Sequence, residues 1–276
     1  MYEHFWQLER NPFDEDDDLR GFYRSETHQA TLLKLRYLIE NGKGTGILVG
    51  GTGFGKTYLI HVLTHQLGES HGPFIHLVFP QLSPAELLAY LAVELGADAN
   101  ALGPDGTCGL DRTIREIDQR LRKFSEHKRH PVIVVDEAHL IEDVQVFQAL
   151  RLLLNFQEQH KCRFTLLFVG QRELLNTVRR LGQLEERLSV KCLLRPLSAE
   201  ETAAYVTHRL EAAGATRPIF EPTAMRPLHE LSGGVPRRIN RLCDLALLVG
   251  FADDATSISA GQVEAVGEEL TAVVPD

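Results

Sequence analysis

The stretch GGTGFGKT, residues 50–57, joins a short apolar run at 47–49 to a helical pattern that begins at Lys56. It matches the pattern GxxxxGK followed by Ser or Thr, and it lies between a strand and a helix, as that motif requires. Glycines let the backbone turn its N–H groups toward phosphate oxygens, and the amino end of the helix adds its dipole. The predicted phosphate-binding residues are Gly50, Gly51, Thr52, Gly53, Phe54, Gly55, Lys56 and Thr57.

Two side chains of this stretch have partners that the sequence also supplies. Lys56 is expected to contact the β- and γ-phosphates of ATP, and the Thr57 hydroxyl to bind Mg²⁺. In VIVVDEAH, residues 132–139, four apolar β-formers lead into Asp136 and Glu137. Asp136 is predicted to hold a Mg²⁺-bound water, and Glu137 to activate the attacking water as a general base. The alternative, a solvated acidic loop, leaves the phosphate site without its metal-side carboxylate.

The letters DEAH also occur in a class of nucleic-acid helicases. Such a helicase needs a second nucleotide-facing α/β domain, but the 80 residues after Pro196 show only helical patterns. Helicases of this class also carry the sequence Ser-Ala-Thr after the DEAH motif. In this chain the strand at the equivalent place instead ends Phe168-Val169-Gly170-Gln171. The motif therefore indicates a magnesium site of another ATPase class, and His139 is predicted to lie in a loop or at a helix start.

Apolar runs and helical patterns alternate along the first 196 residues. Predicted strands lie at 47–49, 74–79, 132–135, 164–169 and 190–194. Helical patterns lie at 31–40, 56–67, from Ser83-Pro84 onward, 111–125 and 144–159, with a loop at 96–109. Strands separated by helices indicate a parallel sheet covered on both faces. We therefore predict an α/β, three-layer P-loop NTPase domain at 1–196 and an all-helical lid subdomain at 197–276, with helices at 198–213, 222–231, 235–251 and 260–271.

Composition excludes several other classes of protein. The formal net charge of −9 and the pI of about 5.7 argue against a surface that binds nucleic acid over its whole extent. Four widely spaced cysteines indicate a reduced, cytoplasmic protein. The chain contains no apolar run of the ~20 residues that a transmembrane segment needs, so we expect a soluble protein. The acidic run at 14–18 is predicted to be a solvated loop.

An α/β unit between the two motifs, with helices after the sheet, fits the AAA+ class of P-loop ATPases. In that class a polar residue after the strand beside the P-loop strand orients the attacking water, and Gln171 is the candidate. The alternative for Gln171 is an ordinary loop amide. Arg237 follows Gly234-Val235-Pro236, where proline suits a first helical turn, and is predicted to contact the γ-phosphate. The alternative is a surface arginine beside Arg238 and Arg241.

Over nearly its whole length the chain resembles the ATPase domain of the ExeA family (general secretion pathway protein A). The matching stretches are YEHFW at 2–6, NPF at 11–13, FYRS at 22–25, LRLLLN at 150–155, VGQ at 169–171, LSAEET at 197–202, HRL at 208–210 and 233–240. The phosphate-binding stretch departs from the family at Gly51 and Phe54, which are variable positions. The resemblance implies ATP and Mg²⁺ as ligands, ATP hydrolysis, and an ATP-dependent homo-oligomer. It also implies that nucleotide state is coupled to the assembly or recruitment of an unknown protein complex of secretion or envelope type.

Arg187 matches an arginine of the ExeA-like pattern, within Leu184-Glu185-Glu186-Arg187-Leu188. The resemblance implies that it completes the site of a neighbouring subunit. An ion pair with Glu185 or Glu186 of the same chain is the alternative. Secretion-associated members carry a transmembrane helix and a peptidoglycan-binding module after the ATPase domain. Because this sequence ends with the helical region, neither is expected here.

Two further functions stay open on the sequence. Related ATPases of the TnsC and TniB type regulate transposition and assemble on DNA, so DNA is a possible partner. DNA binding is supported by a run of basic residues in the second half of the sheet domain: Arg172, Arg179, Arg180, Arg187, Lys191 and Arg195. A solvated helix surface is the alternative for these residues, and the net charge of −9 favours it. The third possibility is a scaffold that binds ATP without hydrolysing it, against which the intact Glu137 argues.

Overall fold

The computed structural model describes residues 1–14, 19–68, 71–78, 81–98, 110–159 and 162–272. Residues 15–18 of the acidic run, Phe79 of the second predicted strand and residues 99–109 of the predicted loop lie outside these ranges. The chain divides into two compact units. The helical unit comprises Met1–His28, Thr52–Tyr58 and Arg195–Asp276, and the sheet unit comprises Gln29–Gly51 and Leu59–Leu194.

Five strands form one parallel sheet in the sheet unit, in the order β2-β3-β4-β1-β5. The strands are β1 (Thr45–Val49), β2 (Phe74–Leu77), β3 (Val132–Val135), β4 (Thr165–Gly170) and β5 (Leu188–Leu193). Every residue of β1, β3 and β4 is buried, as expected for parallel strands that are covered on both faces. The predicted α/β architecture is therefore confirmed.

Eight helices precede Pro196 in the described chain, and four follow it. The first eight are α1 (Glu26–Glu40), α2 (Lys56–Leu67), α3 (Pro84–Glu94), α4 (Leu110–Glu126), α5 (Val144–Leu153), α6 (Asn155–Gln159), α7 (Glu173–Arg180) and α8 (Gly182–Glu185). The last four are α9 (Ala199–Ala212), α10 (Met225–Ser232), α11 (Pro236–Ala252) and α12 (Ala260–Ala272). Short 3-10 turns lie at Leu19–Gly21, Ala138–Leu140 and Pro222–Ala224.

Several predicted helix bounds shift by one to three residues, and two predicted helices differ more than that. Helix α1 begins at Glu26, five residues before the predicted start, because Ser25 supplies an accepting hydroxyl for the N–H of His28, 3.4 Å away. The single helix predicted at 144–159 is two helices, α5 and α6. The second begins at Asn155, a residue type that favours helix ends over helix interiors.

Helices cover both faces of the sheet, because successive strand residues point to opposite sides. Ile47 and Val49 of β1 belong to one buried cluster with Leu91 of α3 and Phe147 of α5. Gly46 faces the other side, where a Cβ would lie 2.5 Å from Leu38 Cδ2 of α1. The sheet unit therefore has the predicted three layers.

The N-terminal residues pack with the C-terminal helices inside the helical unit. Trp6 is 1% exposed, and its Nε1 donates to the carbonyl oxygen of Leu247 at 3.0 Å. Tyr2 donates to Asp244, also on α11. Residues 1–14 thus group with α11, whereas the sequence-based division placed them with the sheet. The C-terminal segment of the unit starts at Arg195, next to the predicted boundary after Pro196. None of the helices that the structure describes is long and apolar enough to cross a membrane.

Candidate nucleotide site

Three of the predicted site segments leave the sheet at the same edge. Gly50 follows β1, Asp136 follows β3 and Gln171 follows β4, and these strands run parallel. The N–H of Gly50 donates to the Gly170 carbonyl at 3.1 Å, so β1 and β4 stay paired up to the start of the glycine-rich stretch. The carboxyl edge of a parallel sheet is where α/β proteins bind ligands.

Asp136 and Glu137 form a tight turn directly after β3. Asp136 is 4% exposed, and its Oδ1 accepts a hydrogen bond from the Glu137 N–H at 2.8 Å. Glu137 has a left-handed backbone, with φ 47° and ψ 33°. A residue with a Cβ rarely adopts this conformation, and such strain concentrates at functional sites. The turn leaves the Glu137 side chain 41% exposed beside a buried aspartate.

His139 lies in the 3-10 turn that follows Glu137, in agreement with its predicted place at a helix start. Its Nδ1 is 3.3 Å from Glu137 Oε2, although the two atoms lack the alignment of a hydrogen bond. A Cβ at Gly170 would lie 3.2 Å from the backbone nitrogen of His139. The end of β4, which leads into Gln171, therefore lies against the turn that carries Glu137.

The remaining residues that the sequence predicts for phosphate binding, Thr52 to Thr57, belong to the helical unit. Gly53 and Gly55 have φ values of 77° and 81°, a backbone conformation that favours glycine. The N–H of Arg237 donates to the Gly53 carbonyl at 3.2 Å, and a Cβ on Gly53 would lie 2.9 Å from Arg237 Cβ. Arg237, the second residue of α11, therefore contacts the glycine-rich stretch. Lys56 is 6% exposed at the first position of α2.

Each unit, taken by itself, supplies donor atoms of the kinds that magnesium and phosphate ligands require. Mg²⁺ prefers hard oxygen ligands. The sheet unit offers the buried carboxylate of Asp136, and the helical unit offers the exposed hydroxyl of Thr57. Backbone N–H groups in left-handed turns, with a lysine at a helix start, fit phosphate oxygens. In the helical unit, Lys56 and Arg237 are the side chains that the sequence predicts for contact with a γ-phosphate.

Arg187 makes an ion pair within the chain, but not with either predicted partner. Its guanidinium Nη1 lies 2.5 Å from Glu158 Oε1 at the end of α6. Glu185 is instead paired with Lys191 at 2.7 Å, which lowers the pKa of that carboxyl. The Arg187 and Glu158 side chains are 35% and 65% exposed. Exposed pairs contribute little free energy, about 0–1 kcal/mol.

Two histidines near these residues were not identified from the sequence. The Nε2 atom of His76, on β2, lies 3.2 Å from Asp136 Oδ2. This contact depends on β2 and β3 being neighbours, which the sequence does not reveal. His28 contacts the carbonyl of Phe54. The sequence could have indicated the role of His28 through its spacing from Ser25, because a serine at a helix start often contacts the residue three positions later.

The chain matches known proteins in sequence and in fold. A family model described as an AAA domain matches residues 39–178, about half of the chain. The chain is 34% identical to General secretion pathway protein A of Aeromonas hydrophila, over 99% of this chain and 49% of that protein. It therefore spans about half the length of this curated relative.

Solved structures of other proteins share the fold at low sequence identity, as two examples show. Cdc6p from Pyrobaculum aerophilum has a TM-score of 0.73 at 14% identity, over 96% of this chain and 74% of that one. The ORC2 protein of Aeropyrum pernix, in its ADPNP–ADP complexes, has a TM-score of 0.68 at 17% identity, over 95% and 72%. The P-loop AAA+ fold and the resemblance to the ExeA family are thereby confirmed. The chain belongs to the AAA domain family.

Proposed function

We propose that the protein binds ATP with Mg²⁺ and hydrolyses it to ADP and phosphate. The observation that carries the proposal is the turn after β3, in which a buried Asp136 and a strained, accessible Glu137 leave the sheet. The glycine-rich stretch begins at the same edge, after β1. Membership in the AAA family and the nucleotide complexes of the ORC2 protein support it.

Each residue has one role in the proposed reaction. Lys56 and the backbone N–H groups of the glycine-rich stretch bind the phosphates, and Thr57 and Asp136 hold the Mg²⁺ shell. Bound Mg²⁺ neutralises phosphate charge. Glu137 accepts a proton from the attacking water, Gln171 orients that water, and Arg237 contacts the γ-phosphate. Because Glu137 is accessible while Asp136 is buried, the two carboxylates suit these different roles.

Nucleotide affinity tests the binding half of this proposal. Replacing Lys56 with alanine removes a cation from the phosphate site, so Lys56→Ala is expected to abolish ATP binding in titration calorimetry. Lys43→Ala is the matched control, since Lys43 is an exposed lysine just before β1, at the opposite edge of the sheet. Equal ATP affinity in wild type and Lys56→Ala would contradict the assignment of the glycine-rich stretch.

We further propose that ATP drives self-association, and that the assembly recruits a protein complex. The similarity to General secretion pathway protein A supports a partner of secretion type. Arg187 is the proposed contribution to a neighbouring site, because its ion pair with Glu158 is exposed and exchangeable. Light scattering with ATP, ADP and no nucleotide measures the association. A mass that is the same in all three conditions would contradict it.

DNA binding is the second candidate function. Arg172, Arg179 and Arg180 are exposed in and beside α7, which favours contact with phosphates. Arg187 and Lys191 of the same basic run are paired with glutamates. If DNA is a partner, its affinity for the ATP-bound protein falls steeply with salt, and Arg179→Ala with Arg180→Ala reduces that slope.

A further inference from the structure

His28 bridges two parts of the helical unit through both of its ring nitrogens. Its Nδ1 lies 2.7 Å from the hydroxyl of Ser25, and its Nε2 lies 3.0 Å from the carbonyl oxygen of Phe54. The imidazole is 7% exposed and Ser25 is 1% exposed. Phe54 lies in the middle of the glycine-rich stretch, so His28 reaches the backbone of the proposed phosphate site.

These contacts fix where the ring proton lies. A carbonyl oxygen only accepts hydrogen bonds, so Nε2 carries a proton and donates it to Phe54. In a neutral imidazole Nδ1 is then an acceptor, and the Ser25 hydroxyl donates to it. The same hydroxyl accepts from the backbone N–H of His28 at 3.4 Å. Ser25 therefore holds both the tautomer and the start of α1.

The hydrogen bond to Phe54 also sets the direction of a neighbouring donor. The Phe54–Gly55 peptide is trans, and in a trans peptide the C=O and the N–H point in opposite directions. Holding the Phe54 carbonyl toward His28 therefore turns the Gly55 N–H away from it. Gly55 has φ 81°, and glycine allows this peptide to rotate at little cost. Without His28 the donor would have a less defined direction.

We infer that His28 is a positioning residue that pins the Phe54–Gly55 peptide so that its N–H is directed at a nucleotide phosphate. The inference rests on the proposed ATP site and assigns His28 a part in nucleoside di- and triphosphate affinity. Pre-organised donors bind more tightly because less freedom is lost on binding.

His28 is in the required neutral form near neutral pH. Burial lowers the pKa of its imidazole, while the hydrogen bond to the Phe54 carbonyl and the carboxylate of Glu201 on α9 act in the opposite direction. The Thr27 hydroxyl lies 3.5 Å from that of Ser25, and the ring of Phe22 contacts the His28 ring edge-on. Measurements at pH 7.5 therefore sample the neutral ring.

Two substitutions separate the donor from the rest of the side chain. In His28→Gln the amide nitrogen takes the place of Nε2 and still donates to Phe54. In His28→Asn the shorter amide takes the place of Nδ1 and reaches only Ser25. His130→Asn is the control, since His130 is also 7% exposed and bonds a hydroxyl, that of Thr165, at 2.8 Å. Mg-ADP affinity is measured for all of them, with Lys56→Ala, and apo-protein melting temperature reports folding.

We expect His28→Asn to bind ADP about tenfold more weakly, the scale of one hydrogen bond, and His28→Gln to recover most of the affinity. His130→Asn retains wild-type affinity. Wild-type affinity in folded His28→Asn, or equal losses in the Gln and Asn variants, overturns the inference. Failure of the wild-type protein to bind ADP or ATP instead overturns the proposed function itself.

If His28→Asn does not fold, the wild-type protein still gives an answer. Nitrogen-15 NMR of the labelled imidazole distinguishes the two neutral tautomers. The inference requires a proton on Nε2, protected from exchange, and an unprotonated Nδ1. A ring protonated on Nδ1 alone overturns it.

Discussion

Glu137, the proposed general base, has a left-handed backbone conformation directly after β3. Among the described residues it is one of four besides glycine with positive φ. The conformation costs a residue with a Cβ roughly 1–2 kcal/mol. In return the chain turns sharply after β3 and leaves the carboxylate accessible beside Asp136. A strained residue at this edge of the sheet indicates that stability is given up for geometry.

The substitution Glu137→Gly tests whether the backbone strain at this position lowers stability while the carboxylate serves hydrolysis. Glycine adopts the left-handed turn without strain, so unfolding free energy in urea is expected to rise by about 1 kcal/mol. Hydrolysis is expected to fall by roughly 10²–10⁴-fold, because the base is lost. Lys128→Gly is the matched control, since Lys128 has φ 56° and follows α4. It is expected to gain stability with hydrolysis unchanged. Unchanged hydrolysis in Glu137→Gly would contradict the role of Glu137.

At the residue scale, the sequence indicates the chemistry of single motifs but not contacts between distant segments. Lys56, Thr57, Asp136 and Glu137 are assigned by spacing and flanking strands, and they remain predictions until ligand binding is measured. The contact of His76 with Asp136 depends on strand order. The partner of Arg187, Glu158, depends on how α6 packs beside the end of α8.

At the element scale, the turn before α11 determines how Arg237 is presented. Gly233 and Gly234 both have positive φ, 60° and 70°. The Gly234 carbonyl also accepts a hydrogen bond from the N–H of Leu197 at 2.8 Å. A Cβ on Gly234 would lie 2.1 Å from the Leu197 carbonyl oxygen, whereas nothing lies within 4 Å of one on Gly233.

The two glycines therefore respond differently to the same substitution. Gly233→Ala pays only the backbone strain and should lower unfolding free energy by about 1 kcal/mol. Gly234→Ala adds a backbone clash and should cost more than about 3 kcal/mol. The ATP affinity of Gly234→Ala, measured at temperatures where the variant is folded, should also fall. The turn at Gly234 positions Arg237, whose N–H bonds Gly53 of the glycine-rich stretch. Equal stability losses in urea unfolding would show that the contact with Leu197 does not hold the turn.

The elements were largely predictable, and the exceptions have local causes. Strand β3 and helix α2 have the predicted bounds, because four β-formers and a clear phosphate motif mark them. The early start of α1 depends on Ser25, a cap that precedes the first apolar repeat. The break between α5 and α6 falls inside a continuous apolar pattern, which by itself predicts one helix.

At the scale of the whole molecule, the N-terminal residues were the least predictable part. They lie far from α11 in the sequence, so the contact between Trp6 and Leu247 could not be predicted from local patterns. Periodicity reports which residues are buried but not which partner buries them. The parallel sheet, by contrast, was predictable from the alternation of strands and helices. Two consecutive parallel strands need a crossover connection between them, and a helix usually supplies it.

The proposed oligomer gives a prediction about mixed subunits. Arg187→Ala should bind ATP but be inactive, because a guanidinium at the γ-phosphate contributes about 10³–10⁵ in rate in other NTPases. Lys56→Ala should be inactive for lack of nucleotide. Mixed together, an Arg187→Ala subunit receives Arg187 from a Lys56→Ala neighbour, so phosphate release should partly return. Arg179→Ala, an exposed arginine of α7, is the control and should be active alone. A mixture that co-assembles but stays inactive would contradict action across an interface.

Phosphate release by Glu137→Gln tests the central claim most directly. Glutamine keeps the shape and hydrogen bonding of the side chain but cannot accept the proton of the attacking water. We predict that the variant binds ATP as tightly as wild type, hydrolyses it roughly 10²–10⁴-fold more slowly, and accumulates in its ATP-bound form. Wild-type turnover in a folded Glu137→Gln protein that binds ATP would contradict Glu137 as the general base.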